Sequence, residues 1–267
     1  MRTFLALARA SHPAPTAVVT ALGALLAVAA GHGTLTVLLV GLAVLTGQLS
    51  VGWSNDLVDA ERDWAVGRTD KPLATGELTR RTVTVALALT VAGCTALSLA
   101  LGLPAALAHL VLLAAAWSYN LGVKATLLSW LPYAVAFAGL PAVAWLALDP
   151  AVLPPWWLMT VGGLLGVGAH LVNALPDLDD DAATGVRGLP HALGSRRSGV
   201  LAVVVLVAGT TVATLGPPPP VPAWAWAVLA GAGLLAVGSL RRPGRFAFRA
   251  AMVIALVNVV VLLLRAG

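Results

Sequence analysis

Apolar residues run along this chain in long blocks separated by short breaks. The blocks fall at about 15–31, 33–53, 82–102, 104–119, 127–148, 155–174, 198–215, 221–240 and 246–264. A membrane-spanning helix needs roughly 20 consecutive apolar residues, so the pattern predicts nine transmembrane helices. Gly and Pro punctuate them at Gly31-His32-Gly33, Gly102-Leu103-Pro104, Asp149-Pro150 and the Gly216–Pro222 stretch. The expected fold class is all-α integral membrane, one transmembrane helical domain over residues 1–267. The start, Met1–His12, carries only a short apolar stretch, Phe4–Ala8, before Arg9. That is less than the roughly 7–15 apolar residues of a cleavable signal, and it reads as a short cytoplasmic lead-in.

Composition agrees with this class. Of the 267 residues, 59% are hydrophobic and 10% charged, against roughly 25% charged in a soluble domain. A chain with a mean hydropathy of +0.92 cannot cover a water-facing surface, which excludes soluble, disordered and fibrous classes. The net charge of +5 sits in short basic clusters between apolar blocks. It reads as a topology signal rather than as a nucleic-acid surface. Cys94 is the single cysteine and lies within an apolar block, so no internal disulfide or thiolate cluster forms.

Nine spans put the two termini on opposite sides. The lead-in and the loops after spans two, four, six and eight hold Arg2, Arg9, Arg62, Arg68, Lys71, Arg80, Arg81, Lys124, Arg187, Arg196, Arg197, Arg241, Arg242, Arg245 and Arg249, which is all the basic residues except Arg265. The positive-inside rule then places the N-terminus in the cytoplasm and the C-terminus outside. The expected location is the cell (plasma) membrane, surrounded by membrane lipid, with any active site opening toward the cytoplasm. All the acids except Asp149 fall on that side as well, which orientation does not require. Trp145, Trp156, Trp157, Trp224 and Trp226 lie near the outer loops and read as an aromatic belt. Trp53, Trp64, Trp117 and Trp130 lie near the inner loops, where they read as belt residues or as the lining of a site.

Two acidic clusters stand out. Asn55-Asp56-Leu57-Val58-Asp59-Ala60-Glu61-Arg62-Asp63 places Asn55, Asp59 and Asp63 at i, i+4 and i+8, along one face of a helix. Asn173, Asp177 and Asp181 repeat this spacing, in a second cluster that also holds Asp179 and Asp180. Each copy ends an apolar block and precedes a loop containing basic residues, Pro and Gly: Gly67 to Gly76 in the first case, Gly185 to Gly194 in the second. An Asp at mid-membrane costs on the order of 2.5–3.5 kcal/mol, so clustered carboxylates at a membrane boundary call for a cation. All-oxygen ligands point to Mg²⁺, which binds one or two carboxylates together with substrate phosphates. Arg68, Lys71, Lys124 and Arg187 would complete a site for a diphosphate.

These residues resemble the UbiA superfamily of intramembrane prenyltransferases, whose signatures are N-D-x-x-D-x-x-x-D and D-x-x-x-D. Asn55 to Asp63 fits the first signature, and Asp177 with Asp181 fits the second. The resemblance extends to the basic-Pro element of Arg68 to Gly76 and to Tyr119-Asn120-Leu121-Gly122-Val123-Lys124 at the end of the fourth span. It implies nine helices around a central cavity, with the Asp-rich motifs on cytoplasmic-side loops. It implies Mg²⁺ held by Asp59, Asp63, Asp177 and Asp181 as catalytic ligands, with Asn55, Asp56 and Asn173 assisting. Arg68, Lys71, Tyr119, Lys124 and Arg187 would hold the diphosphate. The implied reaction ionises a polyprenyl diphosphate and transfers its prenyl group to an aromatic or other electron-rich acceptor.

One departure bears on that acceptor. Hydroxybenzoate-type members carry a cation about two turns before the first motif, where this chain has Gly47 to Ser54. Gln48 suits a neutral acceptor and, with Trp53 and Trp117, is a candidate lining residue for the acceptor or an allylic cation. A terpene cyclase on the same fold is the alternative, because aromatic faces also stabilise a cation. His109 and His170 read as helix-contact residues, while His191 lies in the loop after the second motif.

Overall fold

A computed structural model describes residues 2–242 and 244–266, without the side chains of Arg2, Asp179 and Asp180. The topology signal of Arg2 and the contributions of Asp179 and Asp180 to the second cluster therefore lie outside the described residues. Among those residues there is no strand, and each apolar block holds a helix. In order these are α1 (Arg2–Ala10), α2 (Pro13–Ala29), α3 (Thr34–Ala65), α4 (Arg80–Ala100), α5 (Leu103–Asn120), α6 (Leu131–Trp145), α7 (Trp156–Ala174), α8 (Leu178–Ala183), α9 (Leu189–Leu193), α10 (Ser195–Leu215), α11 (Ala223–Arg241) and α12 (Arg245–Ala266). Seven are long and apolar enough to cross a membrane: α3, α4, α5, α7, α10, α11 and α12. The pair α1 and α2 forms an eighth candidate, bent by 71° at Ser11-His12, so the lead-in is helical. The block at 127–148 yields only 15 residues of helix in α6.

Two differences from the sequence pattern concern the acidic motifs. α3 does not stop near residue 53 but runs 32 residues to Ala65. Residues 54–65 contain no Gly or Pro, and Leu57, Ala60, Glu61 and Arg62 all favour helix. The first motif therefore lies on the last turns of a helix and not in a loop. The second motif is broken. Pro176 cannot continue α7, which ends at Ala174, and Asp177 sits in the turn before α8. Asn173, Asp177 and Asp181 share their spacing with the first motif but do not share one helix.

The chain forms two compact units. The first takes residues 2–121 and 143–152. In it α3 packs against α2, α4 and α5, and α1 lies on α3. Ala6, Ala10, Trp53, Leu78 and Val83 form a buried cluster there. The second takes residues 122–142 and 153–266, with α10 packed against α7, α11 and α12. Buried Asn258 on α12 accepts from Thr210 Oγ1 at 2.7 Å and donates to the Leu206 carbonyl at 2.8 Å, a polar tie of the kind that joins helices in lipid. The outer-loop tryptophans are not uniformly a belt. Trp156, Trp224 and Trp226 are exposed, but Trp157 and Trp145 are buried, with Trp157 packed against Gly216.

Candidate functional site

The first unit assembles its polar residues around the end of α3. Asp56, Asp59 and Asp63 are all buried, at 1%, 5% and 5% exposure. Asn55 Nδ2 donates to Asp59 Oδ2 at 2.9 Å, and the Arg62 guanidinium reaches the same oxygen at 3.0 Å. Asn55 also meets Asn120 Oδ1 at 3.3 Å. Asn120 in turn donates to the Val51 carbonyl (2.9 Å) and Ser54 Oγ (2.8 Å), which fixes the end of α5 against α3. The sequence sign of this role is an amide at the inner end of an apolar block, beside Tyr119.

The chain reverses after α3, with the Arg68 N–H bonding back to the Asp63 carbonyl at 2.9 Å. The reversal carries Lys71 back along the helix. Lys71 Nζ donates to Asp56 Oδ1 at 2.7 Å and to His12 Nε2 at 3.0 Å. An ammonium has only donors to offer, so His12 Nε2 is the acceptor and the ring is neutral. Asp56 Oδ2 is buried without a hydrogen-bond partner. Arg68 grips Asp70 with two bonds of 2.8 Å each, and this guanidinium holds the Asp70 carboxyl down at about 2.

The other predicted residues of this unit make the following contacts. Trp53 is buried, and its indole N–H donates to the Leu7 carbonyl at 2.9 Å, which places it in the α1–α3 contact. Trp117 Nε1 reaches Ser50 Oγ at 3.4 Å. Gln48, Tyr119 and Trp117 are half-buried. Trp64 is 73% exposed, at the edge of an open surface pocket of about 270 Å³ lined also by Glu61, Leu73 and Arg80. His109 bonds to Ser98 within the helices, at 2.8 Å.

In the second unit the loop after the second motif is docked on the segment containing Lys124. A Cβ on Gly188 would lie 2.6 Å from the Lys124 carbonyl oxygen and 2.7 Å from Ser129 Oγ, so only glycine permits this approach. The Leu189 N–H donates to Ser129 Oγ at 3.0 Å, and the same hydroxyl meets His170 Nε2 at 3.0 Å. Lys124, half-buried, and Arg187, exposed, lie on the two segments that this contact joins. Asp177 and Asn173 are exposed and Asp181 half-buried. The Asn173 side chain has Tyr133 as a hydrogen-bonding neighbour. The backbone of Asp181 caps its own turn, accepting from the N–H groups of Thr184 and Val186. His191 Nδ1 accepts from the Gly188 N–H at 3.2 Å, so this histidine closes the loop.

Among the described residues no group of three or more His, Cys, Asp or Glu side chains converges on a point. Mg²⁺ does not require one, since it binds through one or two carboxylates plus waters and phosphate oxygens. The oxygens of half-buried Asn55 and buried Asp59 and Asp63, with the orphaned Asp56 Oδ2 on the same stretch of helix, fit such a hard cation.

Comparison with known proteins gives this arrangement its setting. A digeranylgeranylglyceryl phosphate synthase of Methanopyrus kandleri is 30% identical over 243 residues, 86% of this chain and 84% of the relative. Another, from Methanothrix thermoacetophila, is 32% identical over 170 residues, 61% of this chain, and the match spans 61% of that relative's length. A UbiA homologue from Archaeoglobus fulgidus, solved with GPP and Mg²⁺, superposes with a TM-score of 0.71 at 16% identity, covering 96% of this chain and 98% of that one. The UbiA prenyltransferase family profile matches residues 16–263. The chain belongs to the UbiA prenyltransferase family.

Proposed function

We propose that this protein is an intramembrane prenyltransferase that binds a polyprenyl diphosphate with Mg²⁺ and transfers the prenyl group to an electron-rich acceptor. The observation that carries this reading is the row of oxygen-bearing side chains on the last turns of α3, half-buried Asn55 and buried Asp59 and Asp63, with Lys71 held beside it. Buried carboxylates that are not each matched by a cation favour a divalent metal. Asn55, Asp59 and Asp63, and in the second unit Asp177 and Asp181, are the residues that would hold Mg²⁺. When bound, the metal neutralises charge developing on the leaving diphosphate. The cations assigned to the diphosphate by this reading are Lys71 and Arg68 in the first unit and Lys124 and Arg187 in the second, each suited to charge-assisted hydrogen bonds. Arg62 and Asn55 orient the Asp59 carboxylate through the oxygen they share. The relatives named as digeranylgeranylglyceryl phosphate synthases support an acceptor that is itself a lipid with a polar head. Gln48 in place of a cation supports a neutral reacting group over a benzoate.

The reading includes nine membrane crossings, with the N-terminus and the α3 end facing the cytoplasm at the plasma membrane. α1 with α2 would supply one crossing, and the short α6 another.

Product identification tests the function. The purified chain is incubated with geranylgeranyl diphosphate, Mg²⁺ and either a glycerol-phosphate ether lipid or a phenolic acceptor, and the products are read by mass spectrometry. Acceptor-dependent prenylated product is expected. Cyclic hydrocarbons or alcohols formed without acceptor would contradict transfer and establish cyclisation in its place.

A further inference from the structure

His12 adopts φ +54°, ψ +69° and is the only non-glycine residue with positive φ among the described residues. Left-handed backbone is costly for a residue with a β-carbon, and it persists where the surroundings over-determine it. They do so here. Ser11 Oγ donates to the Ala8 carbonyl (2.8 Å), Thr16 Oγ1 to the Ser11 carbonyl (2.7 Å), and the Thr16 N–H to the His12 carbonyl (3.1 Å). Gly52 of α3 lies so close that a Cβ there would be 2.7 Å from Ser11 Cα. The bend between α1 and α2 is thus seated on α3 one turn before Asp56, and the imidazole reaches Lys71 across it.

Lys71 is 8% exposed, and two of its three N–H bonds are committed, one to Asp56 and one to His12. An ammonium has three N–H donors, so one remains beyond these two contacts. Without the imidazole, Asp56 alone would hold the ammonium, free to rotate about a single contact.

We propose that His12 is a positioning residue for the diphosphate: its Nε2 fixes the rotation of the Lys71 ammonium so that the remaining N–H is presented to a phosphate oxygen. This rests on the reading of Lys71 as a diphosphate contact. A residue that served only to cap the helix break would be replaced without loss by glycine, which the left-handed conformation favours. Asparagine also tolerates this conformation and keeps an oxygen acceptor.

The test uses the full chain in lipid nanodiscs with two measurements. In the first, steady-state kinetics with geranylgeranyl diphosphate and Mg²⁺ compare wild type, His12→Gly, His12→Asn, Lys71→Met and the double variant His12→Gly/Lys71→Met. His12→Gly should melt at or above the wild-type temperature, yet raise KM for the diphosphate about tenfold, the loss of roughly one charge-assisted hydrogen bond, with kcat changed less. His12→Asn should recover KM to within about threefold of wild type, and His12→Gly should add nothing in the Lys71→Met background. In the second, amine acylation of Lys71 is followed by mass spectrometry without substrate, and its rate should rise several-fold in His12→Gly. An unchanged KM and acylation rate in His12→Gly, or the same KM increase with and without Lys71, overturns the positioning role. A wild type that neither binds nor turns over geranylgeranyl diphosphate instead refutes the functional reading, and the diphosphate role with it, even if acylation rises in His12→Gly.

Discussion

Lys71 Nζ and Asp56 Oδ1 are 2.7 Å apart, with the two side chains only 10% and 1% exposed. This pair joins the loop after α3 to α3 itself, so the residue expected to meet substrate is anchored to the motif expected to hold metal. Breaking a buried pair from one side leaves an uncompensated charge, a loss of about 3–5 kcal/mol. Asp56→Ala should therefore lower stability by that order, while Asp56→Leu with Lys71→Met should lose much less. Thermal unfolding in detergent by a tryptophan signal checks this. Equal destabilisation by the single and double variants would show that the pair is not the anchor.

The Arg68–Asp70 fork has a different weight. Asp70 is 61% exposed in its side chain, so the pair contributes well under about 1 kcal/mol. Its folded-state pKa is depressed from 3.8 to about 2, so its contribution is present above 3.8 and fades as pH falls toward 2. The difference in melting temperature between wild type and Asp70→Asn should be small and constant from pH 5 to 8, and shrink below pH 4. A difference that grows on acidification contradicts the assignment.

Trp53 bonds to the Leu7 carbonyl of α1 and packs in a buried cluster with Ala6, Ala10, Leu78 and Val83. Trp53→Phe should cost about 1 kcal/mol for the lost bond to Leu7, and Trp53→Ala about 3–5 kcal/mol. Limited proteolysis should show α1 released first in Trp53→Ala. Protection of α1 equal to wild type would mean that another contact holds it.

Gly188 carries the contact between the second loop and Lys124. Gly188→Ala drives a Cβ into a backbone carbonyl and a hydroxyl, and should cost about 1–3 kcal/mol while raising KM for the diphosphate. Wild-type KM and stability in that variant would separate the loop from the site.

Most of the helices were legible because a block of some twenty apolar residues has one outcome in a membrane, and the breaks at Gly102 and Asp149-Pro150 sit where helices end. The acidic motifs were legible by spacing, but spacing could not say what carried them. Helix-forming residues prolong α3 through Asp63, whereas Pro176 divides the second copy, so equal spacing does not mean equal backbone. The partnership of Lys71 with Asp56 was not legible, since it depends on a chain reversal between them. The contact of His12 with Lys71 was not legible for a similar reason: it comes from a bend seated on Gly52, of which flanking Pro13 is the one local sign.

The most direct measurement is inorganic diphosphate release from geranylgeranyl diphosphate by wild type, Asp59→Asn and Asp177→Asn, each with Mg²⁺ and with EDTA. The account predicts Mg²⁺-dependent release by wild type and a loss of at least about 10²-fold in each variant, with melting temperatures close to wild type. Wild-type release rates in both variants, or release that persists in EDTA, would contradict it.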